Sequence, residues 1–233
     1  MNAPTLAAWG VHLYTALGGA LGFFTLVATW TGNYRLAFLW MAVALFIDCT
    51  DGTLARRARV KQILPHFDGA KLDDIVDYLN YVVVPVVLAY HAALIPAGPA
   101  GLLVGSLPLI ASGYGFAQTD AKTEDHFFKG FPSYWNILVF YLYALGTPTW
   151  FNVSALVIFS ILVFVPIRYL YPSRTPTARR TTYVLGGVWG VCMIILLLQI
   201  PAPSRWLTWV SMFFPTYYMS LSLHLHFRNG MRS

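Results

Sequence analysis

The chain alternates long apolar runs with short polar connections. Eight candidate helices follow from this pattern, at roughly residues 9–31, 36–56, 72–95, 99–119, 134–151, 152–171, 181–200 and 206–226. About 20 apolar residues are needed to cross the hydrocarbon core of a bilayer as a helix. The runs are continuous rather than alternating, and open sheets cannot satisfy their backbone groups in lipid. The pattern therefore predicts an all-α polytopic membrane protein, with residues 1–233 forming a single membrane domain.

The composition agrees with a chain embedded in lipid. Hydrophobic residues make up 58% of the sequence and charged residues only 10%, whereas a soluble domain has about 25% charged residues. The two cysteines, Cys49 and Cys192, fall in separate apolar segments. This usage predicts neither a disulfide framework nor a cysteine metal cluster.

The positive charges indicate an orientation for the predicted helices. If both termini lie in the cytoplasm, all but two of the fifteen Lys and Arg residues fall in cytoplasmic segments, the exceptions being Arg35 and Arg205. This bias is what the positive-inside rule requires of an inner-membrane protein. The net charge of +6 is thus explained by topology, and we predict no nucleic-acid partner.

The negative charges are concentrated in one part of the chain. All nine acidic residues lie between positions 48 and 125, and carboxylates inside a membrane are generally functional. The stretch from Arg35 to Asp48 is too short to cross a bilayer, so the second span must continue past Asp48 and Asp51. Asp73 and Asp77 fall in the first two turns of the third span. Both pairs are therefore expected at the same cytoplasmic depth.

The spacing within each pair predicts shared helix faces. Asp48 and Asp51 are three residues apart, and Asp73 and Asp77 are four apart, while Asp74 is turned about 100° away from Asp73. Four facing carboxylates repel one another unless cations neutralise them, and such oxygen-rich sites suit Mg²⁺ or Mn²⁺. Two divalent cations would clamp a pyrophosphate for in-line displacement. The alternative is ordinary ion pairing with the nearby cations Arg56, Arg57, Arg59 and Lys71.

Residues 48–77 carry a specific motif. They contain D-C-T-D-G-T-L-A-R at 48–56 and, after twelve residues, G-A-K-L-D-D-I-V-D at 69–77. This resembles the signature of the CDP-alcohol phosphotransferases, D-x2-D-G-x2-A-R followed by G-x3-D-x3-D, at every fixed position. The resemblance covers thirty residues directly, and it implies a membrane enzyme that joins a small alcohol to a lipid phosphate from a CDP-activated donor.

The resemblance also implies individual roles. The four signature aspartates would hold the two cations, and Asp77 would in addition act as the general base for the acceptor hydroxyl. Gly52, Ala55, Arg56 and Gly69 would contact the CDP group, with Arg56 at its phosphates. A homodimer in the membrane lipid is also implied. Release of a soluble nucleotide suits an active site that faces the cytoplasm.

Further similarities indicate the acceptor. The spacer between Arg56 and Gly69 is longer than in most of the family, as it is in bacterial members that use choline. The segments at 9–16, 64–70 and 121–136 are also similar to those members. CDP-diacylglycerol and choline are thus the expected substrates, and serine, inositol or glycerol phosphate remain alternative acceptors. A transporter of a cationic metabolite is an alternative from another class, but the chain lacks the duplicated halves that many transporters show.

A quaternary ammonium group has no N–H donor, so aromatic ring faces and a carboxylate are expected to bind it. The candidates at the right depth are Tyr78, Tyr81, Tyr134 and Trp135, with Glu124 or Asp125 as the countercharge. Tyr81 is four residues after Asp77 and shares its helix face. The roles of His12, Thr15 and His66 stay open between ligand contact and ordinary packing or solvation, as does the role of the polar loop 119–136.

Overall fold

Helices account for nearly all regular structure in the computed structural model, which describes residues 2–121, 127–171, 175 and 177–230. The helices are α1 Ala3–Trp30, α2 Tyr34–Arg57, α3 Val60–Ile63, α4 Gly69–Asp77, α5 Val84–His91, α6 Gly98–Ala117, α7 Trp135–Leu145, α8 Thr149–Phe164, α9 Arg179–Gln199, α10 Arg205–Ser211 and α11 Phe213–Gly230. A π-helical turn, Tyr78–Val83, joins α4 to α5, and two short strands are β1 Phe127–Lys129 and β2 Arg168–Leu170. The predicted all-α class is confirmed.

Several helices have the length and composition of membrane spans. Among the described residues, α1, α2, α6 and α9 are long and apolar enough to cross a bilayer, and α7 and α8 are shorter apolar helices. The side chains of Val184, Val188, Val191 and Ile194 on α9 are each more than half exposed. Such a continuous apolar exterior suits lipid contact, and the chain is an integral membrane protein. The number of eight spans stays a prediction.

Polar side chains fix the starts of the helices that carry the signature. The side chain of Asn33 accepts a hydrogen bond from the backbone N–H of Leu36 at the start of α2. Asp68 accepts bonds from the backbone N–H groups of Ala70 and Lys71, each at 3.1 Å, at the start of α4. These side chains satisfy N–H groups that have no partner within the helix. Asp68 thereby sets where α4 begins.

Two glycines let α1 approach the α4–α5 region closely. A Cβ atom at Gly18 would lie 2.5 Å from Val76 Cγ1, and one at Gly22 would lie 2.8 Å from Leu79 Cδ2. The Asn80 Nδ2 donates a hydrogen bond to the Gly18 carbonyl at 2.9 Å. Small residues four apart are a common basis for close helix packing in membranes. Here they hold the end of α4 and the π-helical turn beside the middle of α1.

The third predicted span contains an irregularity that the sequence pattern does not indicate. The prediction was one helix over 72–95, whereas the structure has α4, the π-helical turn and α5 in succession, ending at His91. Pro85 lies at the start of α5 and has no N–H to bond the carbonyl of Tyr81, four residues earlier. The missing helical bond accounts for an altered hydrogen-bond pattern just before the proline.

The last predicted spans also differ in their boundaries. The sixth was predicted to reach residue 171, but α8 ends at Phe164 and Val165 is extended, with ψ 122°. Pro166 follows, and the residue before a proline is disfavoured in helical conformation. The chain then forms β2, which pairs antiparallel with β1 so that Phe128 faces Tyr169. The eighth predicted span is divided at Met212 into α10 and α11.

A buried aromatic cluster joins this small sheet to the signature helices. Its members include Tyr81, Phe131, Trp135, Tyr169 and Tyr218, of which Trp135 and Tyr169 are 0% exposed. These residues come from the π-helical turn, the segment between β1 and α7, α7 itself, β2 and α11. The cluster thus holds the C-terminal helix against the carboxylates of the N-terminal half.

Candidate active site

Three of the four signature carboxylates converge. Asp48 lies in the C-terminal half of α2, and Asp73 and Asp77 lie one turn apart on α4. One carboxylate oxygen from each can be chosen so that all three lie within 4.8 Å of one another, and all three side chains are partly buried. Carboxylates at this separation favour a shared hard cation, because its charge relieves their repulsion. The arrangement can hold a divalent metal ion.

Asp51 has a different environment from the other three. It is 5% exposed, and its Oδ2 accepts a hydrogen bond from Thr15 Oγ1 at 2.8 Å. Within the described residues it is not part of the group formed by Asp48, Asp73 and Asp77. Since a carboxylate has lone pairs beyond the one used by Thr15, Asp51 retains capacity to bind a second ligand. Thr15 on α1 therefore orients Asp51.

Tyrosine rings extend from the carboxylates toward the C-terminal helix. Tyr81 Oη donates a hydrogen bond to Asp48 Oδ2 at 2.6 Å. The ring of Tyr134 lies 6.2 Å from that of Tyr81, and the ring of Tyr218 lies 5.9 Å from that of Tyr134, measured between centroids. The structure thus brings Tyr81 and Tyr134 together beside Asp48, and it adds Tyr218 to them.

Comparison with known proteins identifies the family. No protein-family model matches the chain. A phosphatidylcholine synthase of Legionella pneumophila is 42% identical over 213 residues, which cover 88% of this chain and 82% of that protein. A phosphatidylcholine synthase of Legionella bozemanae is 43% identical, covering 78% and 86% respectively, and one of Pseudomonas aeruginosa is 35% identical, covering 84% and 82%.

The chain belongs to the phosphatidylcholine synthase family. This membership agrees with the signature at 48–77, although the relatives are similar to the chain over most of its length rather than in that segment alone.

Arg56 and Gly52 lie side by side near the C-terminal end of α2. Arg56 is exposed, and its Nη2 donates a hydrogen bond to Thr53 Oγ1 at 2.8 Å. A Cβ atom at Gly52 would lie 3.3 Å from Arg56 Nη1, so the glycine leaves room for the guanidinium group beside the helix. Ala55 is partly buried next to them. An accessible guanidinium at the C-terminal end of α2 is suited to phosphate contact.

Gly69 contacts His12 directly. A Cβ atom at position 69 would lie 2.5 Å from His12 Cε1. The His12 ring also packs against Phe67, with centroids 4.3 Å apart. His12 is 6% exposed, and its Nε2 has no hydrogen-bond partner among the described residues. His66 is exposed, whereas His12 is part of the interface between α1 and the start of α4.

Two of the remaining choline candidates form hydrogen bonds to α6. Tyr78 Oη donates to the Leu109 carbonyl at 2.9 Å, and Trp135 Nε1 donates to Ser112 Oγ at 2.7 Å. Both bonds direct the polar atoms of these side chains toward α6. Glu124 and Asp125 lie outside the described residues, as do positions 122, 123 and 126 in the loop 119–136.

Tyr218 was not among the residues singled out from the sequence. It lies in the apolar segment 206–226, where an aromatic residue near a membrane interface has no distinctive signal. Tyr218 contacts Tyr134, which is more than eighty residues away in the sequence. Helical spacing cannot predict such a contact. The β2 strand, which Tyr218 contacts through Leu170, was likewise absent from the prediction.

Proposed function

We propose that the chain transfers the phosphatidyl group of CDP-diacylglycerol to choline, giving phosphatidylcholine and CMP. The observation that carries the proposal is the convergence of Asp48, Asp73 and Asp77 beside Tyr81 in a member of the phosphatidylcholine synthase family. Three carboxylates provide the charge for a phosphoryl-transfer site, and an adjacent tyrosine provides a surface for an organic cation.

The cofactor is proposed to be two divalent cations, Mn²⁺ or Mg²⁺, held by Asp48, Asp51, Asp73 and Asp77. The donor set fits hard cations because it consists of carboxylate oxygens. Such ions supply charge neutralisation for the pyrophosphate and for the entering and leaving oxygens. The bond from Thr15 leaves Asp51 with free lone pairs, so its separate position is compatible with ligation at the second ion.

The donor is proposed to contact Gly52, Ala55, Arg56 and Gly69. Arg56 is exposed and carries a guanidinium group, which suits the phosphates of CDP. Gly52 permits Arg56 to lie close to α2. At position 69, any side chain larger than that of glycine would collide with His12. Glycine is therefore required there on steric grounds, in addition to any contact with the nucleotide.

Asp77 is proposed to act as the general base. In the displacement, the choline oxygen forms a bond to the phosphorus of the phosphatidyl group, and the bond from that phosphorus to the CMP oxygen breaks. The proton of the choline hydroxyl passes to a carboxylate oxygen of Asp77. A carboxylate next to Asp48 and Asp73 is well placed for this role because the acceptor must approach the same group of oxygens.

Tyr81 and Tyr134 are proposed to bind the choline cation. An aromatic face within about 6 Å attracts a quaternary ammonium group by about 0.5 to 2 kcal/mol, depending on desolvation. Tyr81 is fixed by its bond to Asp48, so its ring stays close to the carboxylates. Tyr78 and Trp135 are assigned to packing against α6, because their polar atoms already bond to that helix.

The site is proposed to face the cytoplasm, in the inner membrane of a bacterium, with both termini on that side. The distribution of Lys and Arg supports this orientation, and CMP is a soluble product. We also propose one membrane domain over residues 1–233 and a homodimer, as the family resemblance implies. Light scattering of the detergent-solubilised protein tests the dimer.

An acceptor panel tests the function. The purified protein is given CDP-diacylglycerol with labelled choline, serine, inositol or glycerol phosphate, and lipid products are separated. Choline is expected to give the main product. Asp48→Asn, Asp51→Asn, Asp73→Asn and Asp77→Asn should each abolish turnover, whereas Asp74→Asn should be milder since Asp74 lies outside the group of three. Use of another acceptor and rejection of choline would contradict the proposal.

A further inference from the structure

We infer that Tyr218, on the last helix, forms the wall of the acceptor site that contacts the trimethylammonium group of choline. This inference rests on the function proposed above and extends it to a residue far from the signature. Tyr218 is connected to the carboxylates through neighbouring rings. Asp48 bonds to Tyr81 at 2.6 Å, and the centroid distances from Tyr81 to Tyr134 and from Tyr134 to Tyr218 are 6.2 and 5.9 Å.

The inclination of these rings suits a cation better than a flat ligand. The planes of Tyr81 and Tyr134 meet at 51°, and those of Tyr134 and Tyr218 meet at 67°. Inclined rings present their faces in different directions, which is how aromatic residues surround a compact quaternary ammonium group. Tyr218 adds a third ring, contributed by α11, to those of Tyr81 and Tyr134.

The hydroxyl of Tyr218 is already engaged. Its Oη donates to the Leu170 carbonyl at 3.0 Å, and Ser222, one turn later on α11, accepts a bond from the Leu170 N–H at 3.0 Å. The backbone N–H of Arg168 also bonds to His226 Nδ1 at 3.3 Å. These bonds tie α11 to β2 and hold the Tyr218 ring in place. The ring, rather than the hydroxyl, is therefore the part that recognises a ligand.

Tyr169 gives an independent indication of a ligand beside Tyr218. It is 0% exposed, and its hydroxyl has no hydrogen-bond partner among the described residues. Tyr169 precedes Leu170, whose carbonyl accepts the Tyr218 bond, and both tyrosines belong to the same buried cluster. A buried hydroxyl without a partner is destabilising. A water molecule bound together with the ligand in this part of the cluster would supply the missing bond, because a trimethylammonium group neither donates nor accepts a hydrogen bond.

The test compares substitutions at position 218 in the purified full-length protein. Tyr218→Ala should raise the KM for choline about tenfold and leave the KM for CDP-diacylglycerol within about twofold, while Tyr218→Phe should keep the choline KM close to that of the unsubstituted protein. Tyr217→Ala is the matched control, because Tyr217 is adjacent on α11 but its hydroxyl bonds to Thr182. If Tyr218→Ala fails to fold, Tyr218→Leu replaces it and is compared with Tyr218→Phe.

Dimethylethanolamine distinguishes recognition from a structural role. Its protonated form is a cation that carries an N–H donor, so it depends less on ring faces than choline does. Tyr218→Ala and Tyr218→Leu should therefore raise the KM for choline more than the KM for dimethylethanolamine. Equal changes for both acceptors, an unchanged choline KM in either variant, or Tyr218→Phe behaving like Tyr218→Leu would overturn the inference. If the unsubstituted protein does not use choline, the proposed function itself fails.

Discussion

The imidazole ring of His12 occupies the space that a side chain at position 69 would need. A Cβ atom there would lie 2.5 Å from His12 Cε1, far inside normal van der Waals contact. Gly69 begins α4, which carries Asp73 and Asp77. The contact therefore sets how closely the N-terminal half of α1 approaches the helix that presents two of the carboxylates.

Substitution of Gly69 by Ala should disrupt this contact. The added methyl group must displace the His12 ring or α4, at about 1 to 3 kcal/mol for overpacking of this kind. We expect a lower unfolding temperature and at least tenfold less phosphatidyl transfer. The second substitution His12→Ala should restore most of the loss by removing the ring, as measured by unfolding and activity of the two single variants and the double variant.

Gly10→Ala provides the control for this experiment, because a Cβ atom at Gly10 meets nothing within 4 Å. It should behave like the unsubstituted protein. If the double variant is as inactive as Gly69→Ala, the glycine is required for a reason other than His12, such as approach of the nucleotide to the backbone.

Thr15 should control the affinity of the site for metal. Replacing it with Val removes the hydroxyl that bonds to Asp51 at 2.8 Å and leaves a 5% exposed carboxylate less well oriented. Loss of such a supporting bond typically weakens metal affinity by about 10- to 100-fold. We expect Thr15→Val to need correspondingly more Mn²⁺ for half-maximal activity, while Thr15→Ser stays near normal.

Thr29→Val is the comparison for Thr15→Val. Thr29 lies on the same helix and is buried, but its hydroxyl has no hydrogen-bond partner among the described residues. It should be neutral or slightly stabilising. An unchanged Mn²⁺ requirement in Thr15→Val would show that the bond to Asp51 does not support metal binding.

The ring and the hydroxyl of Tyr81 should have separable effects. Tyr81→Phe removes the bond to Asp48 at 2.6 Å but keeps the ring face, so turnover should fall several-fold with the choline KM little changed. Tyr81→Ala removes both and should also raise the choline KM by about tenfold. Tyr78→Phe loses only a bond to the Leu109 carbonyl and should leave both parameters near normal. Steady-state kinetics with varied choline separates the effect of the hydroxyl from that of the ring. An unchanged choline KM in Tyr81→Ala would exclude a cation contact.

Part of the carboxylate arrangement could be predicted from the sequence. The separation of Asp73 and Asp77 by four residues is a local property of a helix, so their common face could be predicted before any fold was known. The approach of Asp48 to them follows from placing two antiparallel spans at one depth. Tyr81 could also be predicted as a site residue from helical spacing, because it is one turn beyond Asp77.

Contacts between distant segments could not be predicted in that way. The hydroxyl of Tyr81 bonds to Asp48 on another helix, and not to Asp77 one turn earlier. Tyr81 itself lies in the π-helical turn between α4 and α5. Tyr218 lies beside Tyr134 on a helix that bonds to β2, and β2 follows the extended chain around Pro166. None of these features produces a periodic pattern of residues in the sequence.

The cytoplasmic location of the site can be tested by labelling. In a protein with Cys49 and Cys192 replaced by Ala, a cysteine at the exposed position Lys61 should react with a membrane-impermeant maleimide only after spheroplasts are opened. A cysteine at the exposed position Ala202 should react from the outside. Labelling of Lys61→Cys in intact spheroplasts would contradict the proposed orientation.

Release of CMP from CDP-diacylglycerol tests the central claim most directly. The purified protein is stripped of divalent ions with EDTA, and CMP is measured with and without choline before and after Mn²⁺ is restored. The account predicts CMP only when choline and Mn²⁺ are both present, in equal amount to the phosphatidylcholine formed, because the carboxylates need a cation and the displacement needs the choline hydroxyl. Full CMP release in EDTA, or equal release without choline, would contradict it.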